Sequence, residues 1–319
     1  MIETTDRQIL IDGVPRLVIS GEVHYFRVAR QEWEQRLDLL VEAGCDTVAT
    51  YIPWLFHELP DGAIDVTGQT RPERDVGAFI DLAASKGLRF LARPGPFVMA
   101  ELKNEGIPYR VYRDHPEIVP SGWDGVPAPS ATVDYLAPAF LAETARWFDA
   151  IMPVLVPRLN PVGGPIIGVQ LDNEIGMLAW VTNSPDLTDG LLSAFGDFVR
   201  SREAAPGGDA RPPAYPVVPG ADGWAELVRS PTEDVAGVLR VDLGHFMRQR
   251  FADYVVALRS MCEERGVSGV PFLVNIHGTE GGNGAPFPIG ISQLVHTYAG
   301  VPGMVSGSDH YLGRRRSTR

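Results

Sequence analysis

The chain has 319 residues, of which 45% are hydrophobic and 21% charged, the balance of a globular protein long enough for one large α/β domain. Its formal charge of −12 argues against a sequence-independent hold on nucleic acid or an anionic membrane, whereas a neutral ligand is indifferent to that field. The two cysteines, Cys45 and Cys262, show no CxxC spacing and exclude a disulfide framework.

In chain order, Met1–Asp6 lacks the basic start and apolar core of a signal peptide, so the expected address is the cytoplasm. Gln8–Ile11 and Arg16–Ser20 flank Asp12-Gly13, a strong turn dipeptide, and read as a small hairpin. The second arm runs into Gly21–Tyr25, the end of a first core strand. Trp33, Leu37, Leu40 and Val41 recur at helical spacing, with Gly44 as the stop signal. Thr47–Tyr51 is β-branched, stops at Pro53, and reads as a second strand. Val76, Phe79, Ile80 and Ala83 make another helical stripe closed by Gly87, and Leu88–Ala92 makes a third strand. Phe140, Leu141, Thr144, Trp147, Phe148 and Ile151 mark a helix, and Pro165–Gln170 a fourth strand. The polar, Pro/Gly-rich stretch 201–231 reads as an inserted loop rather than a linker, so residues 1–319 are expected to form one domain. Met247, Phe251, Tyr254, Val255, Leu258, Met261 and Cys262 form a helical face ended by Gly266. Phe272–Ile276 and Gly303–Gly307 are strands five and six. No stretch reaches the ~18 continuous apolar residues of a membrane span.

Apolar strands alternating with amphipathic helices imply a parallel sheet covered by helices. Each strand ends in polar, Pro and Gly residues, as a TIM (β/α)₈-type barrel requires at its active face, and about six of the eight strand–helix units are present. A doubly wound sheet is the competing architecture, but no GxGxxG follows the first strand.

Polar residues collect after each strand: Glu22, His24 and Tyr25; Tyr51, Trp54, His57 and Glu58; Arg93 and Glu101; Gln170, Asp172, Asn173 and Glu174; Asn275, His277 and Glu280; Asp309, His310 and Tyr311. A packed strand cannot bury so many polar groups without partners, so they are expected to line one barrel mouth. The sharpest signal is Gly163–Glu174 (GGPIIGVQLDNE), a hydrophobic strand that delivers an Asn-Glu pair at its end. Glycoside cleavage needs one carboxylic acid to protonate the leaving oxygen and a second carboxylate across the sugar. A Glu shielded from water at a rigid strand end can have the raised pKa that the acid needs.

Gly21–Arg27 (GEVHYFR), Thr50–His57 (TYIPWLFH), Arg93–Glu101 (RPGPFVMAE) and Gly163–Glu174 together resemble glycoside hydrolase family 35, the β-galactosidases, over roughly the first 180 residues. The resemblance implies a retaining glycosidase acting on terminal β-D-galactosyl residues, with Glu174 as general acid/base and Asn173 beside the reacting carbon. It implies that Tyr51, Met99, Ala100 and Glu101 hold the terminal sugar. Met99 departs from the Cys usual in much of the family and Phe97 from a Tyr, so β-glucosides and β-glucosaminides are alternative substrates. Asp172 replaces a common Glu.

The seven histidines form no HExxH, and Gly281–Gly284 lacks the Lys-Ser/Thr of a phosphate loop, so neither metal nor cofactor is expected. Ser308-Asp309-His310 has the residue types of a triad without its geometry, and Arg314–Arg316 reads as a solvated basic run. The resemblance puts the nucleophile after strand seven, beyond Asp309, and Arg314–Arg319 does not read as another strand–helix unit. The expectation is a catalytic domain cut short, with no nucleophile in the chain and Glu101, Glu280 and Asp309 as the only substitutes. The alternative outside enzymology is an inactive carbohydrate-binding fragment.

Overall fold

The computed structural model describes residues 2–5, 8–122, 125–127, 132–177, 186–203, 215–277 and 301–309. Strands β1 (Ile2–Thr4), β2 (Ile9–Ile11) and β3 (Val14–Arg16) form a small antiparallel sheet. Asp12 and Gly13 both take left-handed backbone angles, φ 53° and 75°, as a two-residue hairpin turn demands. So tight a turn pairs Val14 directly with Ile11, and the second arm therefore starts at Val14 rather than at the expected Arg16.

Among the described residues the main sheet holds six strands: β4 (Ser20–Glu22), β5 (Thr47–Tyr51), β6 (Arg89–Arg93), β7 (Ile166–Asn173), β8 (Phe272–His277) and β9 (Met304–Asp309). All neighbours are parallel, and their spatial order is their order in the chain. A doubly wound sheet reverses direction at a switch point; this one does not, and it is the six-strand portion of a (β/α)₈-type barrel. All five residues of β5 are buried, as expected of a strand covered on both faces.

Helices α1 (Trp33–Glu42), α2 (Trp54–His57), α3 (Val76–Ser85), α4 (Tyr109–Asp114) and α5 (Pro138–Leu155) connect the first four barrel strands. Their buried faces follow the apolar spacing: Trp33 and Leu37 on α1, and Val76, Phe79, Ile80 and Ala83 on α3. Val41, expected on the α1 stripe, is instead exposed. The Asp75 carboxylate caps α3 by accepting the Ala78 N–H at 2.9 Å. Gly21 lets β4 pack closely on α1, because a Cβ there would sit 2.4 Å from the Leu40 side chain, which would have to shift.

Between β7 and β8 lie α6 (Asp189–Glu203), α7 (Trp224–Arg229) and α8 (Glu233–Glu264). The expected loop 201–231 is thus corrected in part. Residues 204–214 lie outside the described residues, but Trp224 and Val228 of α7 are buried, with Trp224 packed on Phe195 and Tyr215. Two large apolar anchors draw a Pro/Gly-rich segment onto the α6–α8 layer that local composition alone would leave as loop.

Glu58 departs from the cleft-lining expectation. Its carboxylate is 4% exposed and accepts from Arg110 Nε at 2.8 Å, from Arg146, and from Trp54 Nε1 at 2.9 Å. Arg110 and Arg146 also hold Glu143, at 2.6 and 3.0 Å. Removing one member leaves buried charge uncompensated, so Glu58→Gln is expected to cost about 3–5 kcal/mol in urea unfolding. The bonds from Arg110, then Arg146, hold the Glu143 carboxyl down to about 2, below its ordinary 4.5. A lowered acid stabilises the fold above its unfolded value and stops doing so as pH falls through its folded value. The stability gap between wild type and Glu143→Gln should therefore be full at neutral pH and close between about pH 4.5 and 2.

Candidate active site

Four successive strands each end on a polar residue aimed at the same place: Glu22 on β4, Tyr51 on β5, Arg93 on β6 and Asn173 on β7. With His24, Met99, Ala100, Glu101, Glu105, Glu174, Met177 and Asn275 they line one cleft of about 470 Å³. That volume suits a sugar-sized ligand. Parallel strands put all their carboxyl ends on one side, so residues far apart in sequence converge there.

Arg93 organises the floor. Its guanidinium bonds Glu22 and the Tyr51 hydroxyl, reaches Asn173 Oδ1 at 3.2 Å, and lies over the Tyr51 ring with Cζ 3.7 Å from the centroid. Tyr51 donates its hydroxyl to Asn173 Oδ1 at 2.9 Å, and Asn275 Nδ2 donates to the same oxygen at 2.8 Å. With its oxygen claimed by these donors, the Asn173 amide has its Nδ2 hydrogens to offer a ligand acceptor.

A β-bulge gives Asn173 this position. Gln170 pairs with Leu273 and Asn173 with Asn275, so three steps along β7 match two along β8. Strict alternation would put Gln170 and Asn173 on opposite faces. The extra residue brings them together, with Gln170 Nε2 donating to Asn275 Oδ1 at 3.0 Å, and turns Asp172 the other way. Asp172 is fully buried and accepts from Tyr254 of α8 and from the Asn173 N–H, each at 2.6 Å. Burial pushes its carboxyl well above the usual range, against the pull of those two bonds.

Glu174 follows β7 directly, is 6% exposed, and holds a left-handed φ of 48°. Side chains pin its turn: the Glu174 N–H donates to Asn275 Oδ1 at 3.1 Å, and the Gly176 N–H to the Tyr135 hydroxyl at 3.3 Å. Backbone strain also gathers on the facing loop, where Met99, Ala100 and Glu101 all have φ near 50°. Arg27 holds that loop through the Ala100 carbonyl, and lies 3.9 Å from the Glu101 carboxylate at the exposed rim. Burial lowers His24 below its ordinary value, against the pull of the Glu22 charge. Burial and then the Glu101 charge raise Glu105.

The structure thus brings together Tyr51, Met99, Ala100, Glu101, Asn173 and Glu174. It does not bring in Tyr25 or His57, which bond each other at 2.6 Å in the core, nor Trp54, Glu58 or Asp172. Glu280, His310, Tyr311, Gly281–Gly284 and Arg314–Arg316 lie outside the described residues, as do the side chains of His277, Ser308 and Asp309. Sequence reasoning missed Glu105 and Met177 in the cleft and the supporting Tyr135 and Tyr254. Only Glu105 carried a signal, its closeness to Glu101. Among the described residues, no three His, Cys, Asp or Glu side chains could share a metal ion, and no helix is long and apolar enough to cross a membrane.

The family model for glycosyl hydrolases family 35 matches residues 8–189. A β-1,2-glucosyltransferase from Ignavibacterium album is 28% identical over 96% of this chain and 43% of its own length. An exo-β-D-glucosaminidase from Thermococcus kodakarensis is 37% identical over 59% of this chain and 24% of its own. A β-galactosidase from Felis catus is 36% identical over 55% and 24% respectively. The chain therefore spans less than half the length of these relatives. The crystal structure of a β-galactosidase from the psychrophilic Marinomonas ef1 superposes with a TM-score of 0.64 at 13% identity, over 92% of this chain and 41% of that one, a likeness of fold.

Proposed function

The chain belongs to glycosyl hydrolases family 35, and from that premise we propose that it carries the acid/base half of a retaining glycosidase that cleaves terminal β-D-galactosyl residues. The observation that carries this reading is the pair Asn173-Glu174 at the carboxyl end of β7, opening into one cleft with Tyr51, Met99, Ala100 and Glu101. Residues 1–319 act as one catalytic unit in this reading. Glu174 protonates the glycosidic oxygen as the bond breaks and later takes a proton from the incoming water. Asn173 offers its Nδ2 hydrogens to a sugar hydroxyl beside the reacting carbon. The nucleophile belongs after a seventh strand by family resemblance, and the sheet among the described residues has six.

A second reading keeps the chemistry and changes the sugar to a β-glucosaminide. It is favoured by the charge of the cleft, where Glu22, Glu101, Glu105 and Glu174 outnumber the guanidiniums of Arg93 and, at the rim, Arg27. An ammonium group suits that field, and the Thermococcus relative is named for such a substrate.

A panel of aryl β-galactoside, β-glucoside and β-glucosaminide tests both readings, in a chain extended by the last two strand–helix units of a family member. Turnover of the galactoside above the others supports the first reading; preference for the glucosaminide replaces it with the second. In the same protein Asn173→Ala should leave the fold intact and lower kcat/KM by roughly 10–100-fold, the worth of one hydrogen bond that strengthens in the transition state. Unchanged kcat/KM would remove Asn173 from the site.

A further inference from the structure

The loop facing the catalytic turn carries a glutamate where its backbone favours another residue. The Ile107 N–H donates to the Asn104 carbonyl at 2.9 Å and closes a tight turn whose two central residues, Glu105 and Gly106, have φ of 54° and 90°. A turn with both central residues at positive φ ordinarily takes Asn, Asp or Gly at the first of them, because a longer side chain is strained there. Glu105 serves the loop through its backbone: its carbonyl accepts the Val98 and Met99 N–H groups, each at 3.1 Å. Those bonds need no side chain.

The side chain adds costs of its own. The Glu105 carboxylate is half-buried in the cleft, where burial and then the Glu101 charge oppose its ionisation. Among the described residues it has no hydrogen bond and no ion pair to offset them. Three unfavourable features at one position of a binding cleft call for a ligand that repays them.

The cleft is short of acceptors. A sugar hydroxyl taken out of water must find an acceptor for its hydrogen. Asn173 Oδ1 already accepts from Tyr51, Arg93 and Asn275, and Asn275 Oδ1 from Gln170 and the Glu174 N–H. Glu22 is bound to Arg93, and the Met99 and Ala100 carbonyls accept from the Leu102 N–H and from Arg27. Glu101 stands 92% exposed at the rim. Among the described oxygens of the cleft, apart from the acid Glu174, that leaves the Glu105 carboxylate without another duty.

We propose that Glu105 is a specificity-determining residue of this cleft, whose carboxylate accepts the hydrogen of one hydroxyl of the terminal sugar. The bond is charge-assisted, and a sugar lacking that hydroxyl leaves the carboxylate unpaired again. The proposal rests on the glycosidase reading of the cleft and adds to it the residue that selects the sugar.

Stability is measured first, as the Tm of the dilute 319-residue protein. Glu105→Gly and Glu105→Asn should each raise it by a few degrees, since both residues suit the turn and end the repulsion with Glu101. A Tm lowered in both would overturn the proposal, by showing that the side chain serves the fold. Recognition is measured on the same protein by saturation-transfer NMR of methyl β-D-galactoside and its monodeoxy analogues. Wild type should bind the parent sugar, and Glu105→Gln should weaken binding by roughly 10–100-fold, the worth of one hydrogen bond to a charged group. For the analogue that lacks the contacted hydroxyl, wild type and variant should bind alike. A loss of equal size for every analogue, or none for the parent sugar, would overturn the proposal. Wild type that binds methyl β-D-glucosaminide and no galactoside would overturn it too, by giving Glu105 to an ammonium group. Neither measurement needs turnover. An extended chain that hydrolyses nothing, while Glu105 still governs sugar binding, would reject the glycosidase reading and keep the residue's role.

Discussion

Glu174→Gln is expected to depress turnover of unactivated β-galactosides by about 10²–10⁴-fold in a chain extended to a closed barrel, the range that general acid catalysis contributes. The glutamine keeps the size of the side chain and its hydrogen-bonding capacity, so KM should move little. The loss should depend on the leaving group. A dinitrophenolate departs without a proton, and its galactoside should be cleaved at nearly the wild-type rate in the glycosylation step, whereas an alkyl galactoside needs the full service of the acid. The place of Glu174 supports this assignment, because it sits nearly buried at the end of a rigid strand and opens into the cleft that would hold the sugar. The check is kcat/KM across a series of aglycones of falling acidity, wild type against variant. Equal slowing across the series would make Glu174 a binding group and not the acid.

The 319-residue polypeptide by itself is expected to hydrolyse no aryl β-galactoside above background. A retaining mechanism needs a second carboxylate about 5–5.5 Å from the first to trap the oxocarbenium-like centre. Among the described residues, the other carboxylates of the cleft are ill suited to that part. Glu22 is tied to Arg93, Glu101 stands 92% exposed at the rim beside Arg27, and Glu105 sits on the same strained loop. Among the described residues β4 and β9 each have a single neighbour in the sheet, and unpaired parallel edges favour self-association as concentration rises. Size-exclusion chromatography reads the association, and release of nitrophenol reads the activity. Robust turnover by the pure polypeptide would reject this expectation and make Glu101 and Glu105 the first nucleophile candidates to mutate, with Glu280 and Asp309 next.

What could be read from the chain alone was what short-range chemistry decides. The period of apolar residues marks Val76–Ser85 as helix, β-branched Thr47–Tyr51 as strand and Asp12-Gly13 as a hairpin turn, because each depends on neighbours within a few positions. The convergence of Tyr51, Glu101, Asn173 and Glu174 was also legible, since in a parallel barrel every strand's carboxyl end lies on the same side. Tertiary structure alone decided which polar residues face the cleft. The bulge in β7 exists only against β8, about a hundred residues downstream, and it sends Gln170 and Asn173 to one face and Asp172 to Tyr254. Glu58 follows a strand end as Glu22 does, yet Arg110 and Arg146 draw it into an ion network. Trp224 turns a loop-like composition into a packed helix. Each outcome rests on a partner distant in sequence, and strand pairing, charge pairing and burial take their energy from that partner, which no local pattern encodes.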